Sequence, residues 1–591
     1  MATEVIMPKL GVDMKEGQIL NWRKKEGDEV KEGEILLEIQ SDKTNMELEA
    51  EASGVLLKIY YEADAIVPVT TTIAYIGAKG EALPEAAPAP VSAPTPSSIP
   101  APTPSPTPAP VSAPTPSPTP APVSSSLAAD EYEIIVVGAG PAGYIAAIKA
   151  AQLGAKKVAI IERSSYGGTC LNRGCIPTKT FLKNAEIIES VMGAKSRGIM
   201  IDSARPATDL GGLVKYKDKV VSGLSGGVKG LLKSYNVDCF DGTAIVSKDK
   251  TVKIGDKTIR GHKIILATGS VCPSDSTPGG DSKLIFNSDT ILDYTGPVPK
   301  SMAVIGSGIV GLELGLAYAA FGAEVSFVAK YDVILPSMDR EVSELMTKML
   351  KAKNIKIYPK TKVTEIIEEN SGTSLRIKLE GHEDILCERA LFAAGRTVDM
   401  TGIDTLGLEL GNRGAVKVDD YMQTSLPDFY APGDMNRRQM LAHSAFRMAE
   451  VAVENALFGN KIKVKLTSTP TVAYTLPEIA AVGLTEAQAR EKHDVLIGKF
   501  PFAANGRALA SGHGEGFVKV IIDAKYHEVL GVHIIGPDAS EIINIAAALV
   551  EMEMTADEMA TAIIGHPTYS EALYEAILDA LGKALHLPKR K

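Results

Sequence analysis

Two cysteines five positions apart are the residues whose types and spacing most directly indicate chemistry. Cys170 and Cys175 lie in the stretch GGTCLNRGCIPTK, and the chain of 591 residues has 5 cysteines in all. In a regular helix, α-carbons five positions apart are about 8–9 Å apart, beyond the roughly 7 Å limit for a disulfide. Gly174 and Pro177 allow the distorted backbone that such a pair needs, and a helix start at this stretch favours a thiolate. The stretch therefore favours a redox-active pair over a metal site or a structural bridge.

A thiolate reaction at neutral pH also needs a group that carries protons, and the C-terminal stretch GHPTYSE offers one. Pro567 can turn the chain so that the carboxylate of Glu571 reaches and orients the imidazole of His566. A histidine followed by proline can also be a simple turn, so this motif indicates catalysis only when it occurs together with the cysteine pair. His566 and Glu571 are therefore candidate catalytic residues beside the two cysteines.

Two glycine-rich fingerprints predict the elements that would position these side chains. Each consists of an apolar strand, the pattern G-x-G-x-x-G, a helix and a second strand. In the first fingerprint a carboxylate closes the second strand, where it can accept hydrogen bonds from ribose hydroxyls. The first fingerprint contains Gly138, Gly140, Gly143 and Glu162, and the second contains Gly306, Gly308 and Gly311. Two dinucleotide-binding folds in one body indicate electron transfer between two dinucleotides.

The N-terminal part of the chain has a different character. Residues 1–78 contain short alternating segments and glycine turns, which predict an all-β domain. A weak internal echo, EGDEV from Glu26 and EADAI from Glu62, suggests two similar halves. Lys43 lies in QSDKTN, at a predicted hairpin tip between two alternating segments. Residues 79–128 are dominated by Ala, Pro, Ser, Thr and Val, and this composition predicts an extended tether.

Charge and composition exclude several classes of function. The net charge of −10 argues against nucleic acid as a partner, because phosphate binding needs a basic face. The most apolar stretches, Ile134–Ala151 and Met302–Val325, contain glycine clusters and charged residues, so we expect no membrane span. No secretory signal is visible and the cysteine content is low, so we expect a cytoplasmic protein. The scattered remaining cysteines predict no metal site.

Two resemblances to known families extend this interpretation. Residues 1–78 resemble lipoyl domains of 2-oxo acid dehydrogenase complexes in MPKLGVDMKEG and EIQSDKTNMELEAEASGVL. Residues 130–591 resemble the pyridine nucleotide–disulfide oxidoreductase family in both fingerprints and in GGTCLNRGCIPTK, YAPGD and HPTYSE. They imply an all-β lipoyl domain (a flattened barrel or sandwich), a disordered linker, and an α/β body with two Rossmann-like domains and an α+β dimerisation domain. The expected ranges are 1–78 lipoyl, 79–128 linker, 129–275 FAD-binding, 276–395 NAD(P)-binding, 396–470 central and FAD-binding, and 471–591 dimerisation.

The same resemblances imply an activity, the reoxidation of dihydrolipoyl groups through a Cys170–Cys175 disulfide and FAD to NAD+. Lys43 would carry a covalent lipoyl group, Cys170 would meet the substrate and Cys175 the flavin. His566 and Glu571 would come from the partner subunit of a homodimer. Implied partners are the acyltransferase and decarboxylase components of a 2-oxo acid or acetoin dehydrogenase complex, or glycine cleavage. Another flavin disulfide reductase is the alternative, and the intact reactive residues argue against a non-catalytic lipoyl scaffold.

The cofactor contacts are also expected from the resemblance. For FAD they are Gly138, Gly140, Gly143, Glu162, Thr169, Lys179, Gly242, Thr268, Gly269, Ser270, Asp434, Met440, Leu441, Ala442 and His443. For NAD(P) they are Gly306, Gly308, Gly311, Glu313, Ala329, Lys330, Val363 and Gly395. Ala329 stands where NAD-dependent members carry a glutamate, and Lys330 could attract a 2′-phosphate. Because Pro336 stands where a second cation could complete such a site, we expect NAD, with NADP as the open alternative.

Overall fold

The computed structural model describes residues 3–8, 16–40, 45–50, 52–63, 65–69, 71–78, 81, 127–201, 205–274 and 276–589. The chain forms two compact units, residues 1–121 and 122–591. Lys43 and most of the predicted linker lie outside the described residues. No helix within the described ranges is long and apolar enough to cross a membrane.

The first unit is all-β, as predicted, and consists of two four-stranded antiparallel sheets. Its strands are β1 Thr3–Ile6, β2 Glu16–Trp22, β3 Glu29–Val30, β4 Ile35–Gln40, β5 Asn45–Glu49, β6 Gly54–Ile59, β7 Ile66–Pro68 and β8 Thr72–Gly77. One sheet has the order β1-β8-β6-β3 and the other has the order β5-β4-β2-β7. A shift by four strands converts one order into the other, so the unit has two topologically equivalent halves. This equivalence confirms the weak internal repeat, since EGDEV ends in β3 and EADAI ends at the start of β7.

One detail of this unit departs from simple alternation. Strict alternation along β4 would bury Leu37 and expose Leu36, yet Leu36 and Leu37 are both fully buried. The pairing of β4 with β5 shifts its register between Ile35 and Leu37. A bulge adds a residue to one strand and turns neighbouring side chains to the same side. Two consecutive leucines therefore enter the core between the sheets.

The second unit begins with the first dinucleotide-binding fold. Its elements are β9 Glu131–Val137, α1 Pro141–Gln152, β10 Val158–Glu162, α2 Gly168–Arg173, α3 Cys175–Gly193, α4 Leu210–Ser234, β11 Asp238–Asp241, β12 Ala244–Val246, β13 Thr251–Ile254, β14 Lys257–Leu266 and β15 Ser270–Val271. The sheet order is β11-β10-β9-β14-β13-β12, and β11, β10, β9 and β14 run parallel. The first fingerprint turn therefore lies at the carboxyl end of a central parallel strand, where ligands bind in open α/β sheets.

A second dinucleotide-binding fold follows. Its elements are β16 Ile285–Asn287, β17 Ser301–Ile305, α5 Ile309–Phe321, β18 Glu324–Val328, α6 Arg340–Ala352, β19 Lys356–Tyr358, β20 Val363–Glu369, β21 Ser374–Leu379, β22 Ile385–Cys387, β23 Arg389–Phe392 and β24 Thr397–Val398. The order β16-β23-β17-β18-β19 is entirely parallel, and β20, β21 and β22 form an antiparallel meander. The chain then returns to the first fold through β25 Phe429–Tyr430, which pairs with β14, and through α7 Ala442–Phe458.

The C-terminal part is an antiparallel sheet with helices packed against it. Its elements are β26 Thr471–Ala473, β27 Glu478–Gly483, α8 Glu486–Arg490, β28 Val495–Pro501, α9 Gly506–Ser511, β29 Phe517–Asp523, β30 Val529–Gly536, α10 Ala539–Glu551, α11 Ala556–Met559 and α12 Glu571–Ala580. The sheet order is β26-β27-β30-β29-β28. Short 3₁₀ turns of the second unit are Ala194–Arg197, Ile291–Asp293, Asp404–Leu406, Asn412–Gly414, Gly433–Asn436 and Phe502–Ala504. The prediction of an α+β C-terminal domain is confirmed.

A buried ion-pair network joins the second dinucleotide fold to the C-terminal sheet. The ammonium of Lys519, on β29, lies 3.0 Å from Asp339, 3.3 Å from Glu341 and 2.6 Å from Glu486. Asp339 caps α6 and, like Lys519, has a side chain that is 2% exposed. Since a buried charge needs a partner, this lysine and these carboxylates hold α6 against the sheet.

Candidate active site

The two cysteines lie on either side of a break between two helices. Helix α2 contains Cys170 and ends at Arg173, and α3 starts with Cys175 as its first residue. Gly174 between them has φ −142° and ψ −112°, outside the helical region. Both cysteines are free thiols in this structure. The sequence predicted a helix start and a distorted backbone at this stretch, and the structure contains both.

The two thiols differ in acidity because they interact with each other. The pKa of Cys175 is lowered to about 7, first by a hydrogen bond from Cys170 and then by the ammonium of Lys179, against the opposing effect of burial. The same hydrogen bond, together with burial, raises the pKa of Cys170. The reduced pair therefore holds its thiolate on Cys175, the residue at the N-terminus of α3.

Lys179 connects the cysteine helix to the second dinucleotide fold. Its ammonium lies 3.0 and 2.9 Å from the two carboxylate oxygens of Glu313 on α5, and 4.2 Å from the ring centroid of Tyr474. The Tyr474 backbone N–H also donates to Glu313 at 2.8 Å. Glu313 is 3% exposed and needs this cation. An expected FAD contact and an expected NAD(P) contact thus form one ion pair beside Cys175, and both roles stay predictions.

The first fingerprint has the geometry that a dinucleotide requires. A Cβ on Gly143 would lie 1.8 Å from the carbonyl oxygen of Gly138, so only glycine fits at the helix–strand contact. Glu162 accepts hydrogen bonds from the backbone N–H groups of Ala139 at 2.7 Å and Ser164 at 2.8 Å. The start of α1 has no side-chain cap, which leaves backbone N–H groups available to a phosphate.

Several expected FAD contacts line one cavity beside this fingerprint. The cavity measures about 50 Å³, and Gly138, Glu162, Gly242 and Thr268 are among its lining residues. The roles of these residues in binding FAD stay predictions. Gly269, which follows Thr268, has φ +77° and forms the turn after β14. Met440, Leu441, Ala442 and His443 lie at the N-terminus of α7, on the segment that returns to the first fold.

Arg396 is a residue of this region that the sequence reasoning missed. Its guanidinium donates to the hydroxyl and carbonyl oxygens of Ser270 at 2.9 and 2.8 Å and pairs with Asp289 at 3.2 Å. It also reaches the hydroxyl of Thr169, at 3.4 Å, next to the redox cysteines. Ser270 in turn donates to Asp434 at 2.6 Å. The available signal was LFAAGR, in which Arg396 directly follows the glycine turn after β23.

The second fingerprint repeats the backbone of the first without its acid. In the first fold the N–H of Gly138 donates to the carbonyl of Ile161 at 2.8 Å, and in the second Gly306 donates to Val328 at 3.0 Å. The residue after each acceptor is therefore equivalent, and where the first fold has a glutamate the second has Ala329. The structure thus places Ala329 at the position equivalent to Glu162, where the sequence predicted that a carboxylate is missing.

The other expected NAD(P) contacts surround the same sheet edge. Gly308 and Gly311 lie at the start of α5, and Gly395 follows β23 with φ +123°. Lys330 is exposed, just beyond β18. Val363 is 8% exposed and packs in the core of the β20–β22 meander, so only its backbone is available to a nucleotide. The nucleotide roles of these residues stay predictions.

The candidate proton carrier is preformed at the start of α12. Nδ1 of His566 lies 2.8 Å from Glu571, whose other oxygen accepts the N–H of Thr568 at 2.8 Å. Burial alone would raise the pKa of Glu571, but these two hydrogen bonds hold it below its ordinary value. The imidazole is 77% exposed, and its hydrogen bonds within the described part of the chain involve Glu571 and neither redox cysteine. Its approach to the cysteines of a partner subunit stays a prediction.

Comparisons with known proteins identify the protein family to which the chain belongs. Residues 132–449 match the family described as pyridine nucleotide-disulphide oxidoreductase, and residues 469–577 match its dimerisation domain. Residues 3–76 match a biotin/lipoyl domain described as biotin-requiring enzyme. The chain belongs to the pyridine nucleotide-disulphide oxidoreductase family and is an oxidoreductase with a fused biotin/lipoyl domain.

Individual relatives show which members of this family the chain is similar to. The chain is 39% identical over 468 residues to a dihydrolipoyl dehydrogenase of Thermus scotoductus, which covers 78% of this chain and 99% of the relative. A dihydrolipoyl dehydrogenase of Bacillus subtilis is 36% identical, with 78% and 98% covered. Among solved structures, the HOCl-induced flavoprotein disulfide reductase RclA from Escherichia coli has a TM-score of 0.67 at 25% identity, with 76% of this chain and 99% of that chain covered.

Proposed function

We propose that this protein is a dihydrolipoyl dehydrogenase that oxidises dihydrolipoyl groups and passes the electrons through Cys170 and Cys175 and through FAD to NAD+. The observation that carries this proposal is the pair of free cysteines on either side of the break between α2 and α3, with Cys175 on the same helix as Lys179. The names of the relatives and the fused biotin/lipoyl domain support the choice of substrate. Among carriers, lipoate on Lys43 is proposed because Asp and Thr flank this lysine.

The first half-reaction follows from the chemistry of the named side chains. His566 of the partner subunit, oriented by Glu571, removes a proton from one dihydrolipoyl thiol. The resulting thiolate attacks Sγ of Cys170 in the oxidised pair, so a mixed disulfide forms and Cys175 leaves as a thiolate. The second dihydrolipoyl thiol then displaces the Cys170 sulfur and gives it its proton, which closes the lipoyl disulfide, leaves Cys170 as a thiol and leaves the first proton on His566 of the partner subunit. Two protons and two electrons have left the substrate, and Lys179 stabilises the charge that remains on Cys175.

The residues near each fingerprint would hold the two dinucleotides. FAD, when bound along the first fingerprint, supplies two-electron chemistry between the thiolate and a nicotinamide. Glu162 would hold its ribose, the start of α1 its pyrophosphate, and the Ser270–Asp434 pair its sugar alcohol. The second fingerprint would hold the nicotinamide nucleotide, with NAD+ as the acceptor and NADP+ as the alternative.

The proposal also covers the oligomeric state of the protein, its partner proteins and its compartment. A homodimer is proposed because the active site needs His566 from a partner, and the match to a dimerisation domain supports it. The proposed partners are the acyltransferase and decarboxylase components of a 2-oxo acid or acetoin dehydrogenase complex, or glycine cleavage, in a reducing cytoplasm.

Steady-state oxidation of free dihydrolipoamide and of the lipoylated N-terminal domain, with NAD+ as the acceptor, tests the proposal. We expect Cys170→Ser to abolish both reactions and to keep the bound flavin, whereas Cys239→Ser, a change at a cysteine outside the site, should preserve both. Activity retained in Cys170→Ser, or rapid reduction of glutathione disulfide without dihydrolipoamide turnover, would overturn the assignment. Intact mass before and after lipoylation, compared with Lys43→Arg, tests the carrier residue.

A further inference from the structure

The turn that carries His566 is fixed through one of its residues, Thr568, which makes three hydrogen bonds. Its hydroxyl donates to the carbonyl of Gly565 at 2.8 Å and closes the turn, and its backbone N–H donates to Glu571 at 2.8 Å. Its backbone carbonyl accepts the third bond, at 3.0 Å, from the side-chain amide of Asn505. The imidazole of His566 is exposed, and among the described residues its hydrogen bonds involve Glu571 alone. The backbone of this turn therefore determines where the imidazole lies.

Asn505 reaches the turn from a different element, the short helix α9. It is 3% exposed and is the N-cap of α9, where its side-chain oxygen accepts the N–H of Ala508 at 2.9 Å. The oxygen of the amide thus caps the helix, while its nitrogen holds Thr568. A cap by itself needs only an oxygen acceptor, which serine or aspartate would supply equally well. What the asparagine adds is the donor to the turn.

Arg507 makes a second contact from α9 to the same turn. Its guanidinium lies 5.7 Å from the ring centroid of Tyr569, the residue after Thr568. A cation at this distance from an aromatic ring is attracted to it. Two consecutive residues of the stretch between His566 and Glu571 are therefore held by one helix.

Helix α9 is itself anchored at both ends. Before it, the fully buried Phe502 donates its N–H to the carbonyl of Gly516 at 3.1 Å. At its far end, Arg197 donates to the carbonyl of Ala510 at 3.0 Å. Because α9 is fixed to its surroundings in this way, its contacts fix the position of the turn as well.

We propose that Asn505 and Arg507 are positioning residues for the dehydrogenase reaction, because they hold the turn from which His566 removes the dihydrolipoyl proton. The proposal rests on the proposed function, since it concerns the proton carrier of that reaction. Both residues act through Thr568 and Tyr569 and not by contact with the imidazole. Misplacing a catalytic group by about 1 Å can cost about 100-fold in rate. We therefore expect the loss of one of several holding contacts to cost about tenfold or less.

The two half-reactions of the holoenzyme, measured separately by anaerobic stopped flow, test this role. Reduction of the flavin by dihydrolipoamide needs His566, whereas reduction by NADH with ferricyanide as the final acceptor removes no proton from a thiol. We expect Asn505→Ser to slow the dihydrolipoamide reaction about tenfold and to leave the NADH–ferricyanide rate unchanged, because serine keeps the cap of α9 but not the bond to Thr568. Arg507→Gln, a change at an exposed position, should slow the dihydrolipoamide reaction about threefold.

Asn455→Ser is the matched control for a loss of stability. Asn455 is 1% exposed and also ties a loop, through bonds to the carbonyls of Ile462 at 2.7 Å and Tyr421 at 3.2 Å, so both half-reactions should keep their rates in this variant. An unchanged dihydrolipoamide rate in Asn505→Ser, or an equal loss in its two half-reactions, would overturn the proposal. If Asn505→Ser does not fold, Arg507→Gln decides, and an unchanged dihydrolipoamide rate there overturns the proposal. A wild-type protein that does not oxidise dihydrolipoamide would instead overturn the proposed function.

Discussion

Replacing Lys519 by methionine should destabilise the protein strongly, because it leaves buried carboxylates without their cation. Methionine keeps most of the length of the side chain and removes only the charge. Lys519 and Asp339 each have side chains that are 2% exposed, and their charged atoms are 3.0 Å apart. Removing one partner of a buried ion pair costs about 3–5 kcal/mol. We therefore expect a loss of this size in the free energy of unfolding of the second unit.

Urea unfolding, followed by circular dichroism and by the release of flavin, measures this loss in the free energy of unfolding. Lys499→Met is the matched control, because Lys499 pairs with Glu341 of the same network but both side chains are more than 40% exposed. A pair at that exposure contributes no more than about 1 kcal/mol. If Lys519→Met costs no more than Lys499→Met, the reasoning about the buried charge is wrong.

The pH dependence gives an independent check with a definite sign. Burial acts to raise the pKa of Asp339, but hydrogen bonds and charges, led by Lys519, hold it below its ordinary value. A carboxylate with a lowered folded pKa contributes stability above its unfolded pKa of about 4 and loses it as the pH falls through the folded value. The difference between wild type and Lys519→Met should therefore be full near neutral pH and should shrink below about pH 4.

Three further predictions concern the active site. In Cys170→Ala the pKa of Cys175 should rise above its value of about 7, because the hydrogen bond from Cys170 is lost. Carbamidomethylation of Cys175 at neutral pH, mapped by mass spectrometry, should therefore slow. An unchanged rate would contradict the hydrogen-bond explanation. Gly143→Ala should yield protein without bound flavin, measured by absorbance, because the new methyl group would meet the carbonyl oxygen of Gly138. Glu571→Gln should lower kcat for dihydrolipoamide about 100-fold or more and leave flavin content unchanged, since the imidazole loses its orienting carboxylate; full activity would exclude this role.

Local motifs made much of the fold predictable. The fingerprints specify strand, turn and helix because their glycines are needed for a tight turn and a close helix–strand contact, as the 1.8 Å approach at Gly143 illustrates. The break between Cys170 and Cys175 was predictable for a similar reason, since five-residue spacing in an unbroken helix cannot bring two sulfurs together. Alternation predicted the all-β first unit but missed the bulge that buries Leu36 as well as Leu37.

Contacts between distant parts of the chain were not predictable from local patterns. Lys179 and Glu313 are 134 residues apart in sequence, and each was expected to contact a different cofactor rather than the other. Arg396 carried only the signal of a glycine turn, although its guanidinium reaches towards the redox helix. Long charged side chains can pair with any partner that the fold brings near, so spacing along the chain does not reveal them.

The sequence by itself determined the class of chemistry, the two dinucleotide folds, the histidine–carboxylate pair and the separate β domain. Each of these depends on residue types within a few positions, where backbone geometry is strongly constrained. Only the tertiary structure decided which charges meet: Lys179 with Glu313 beside the redox cysteines, and Lys519 with its buried carboxylates. Those pairings depend on the register of neighbouring strands and on the packing of separate domains, and both are set by the whole fold.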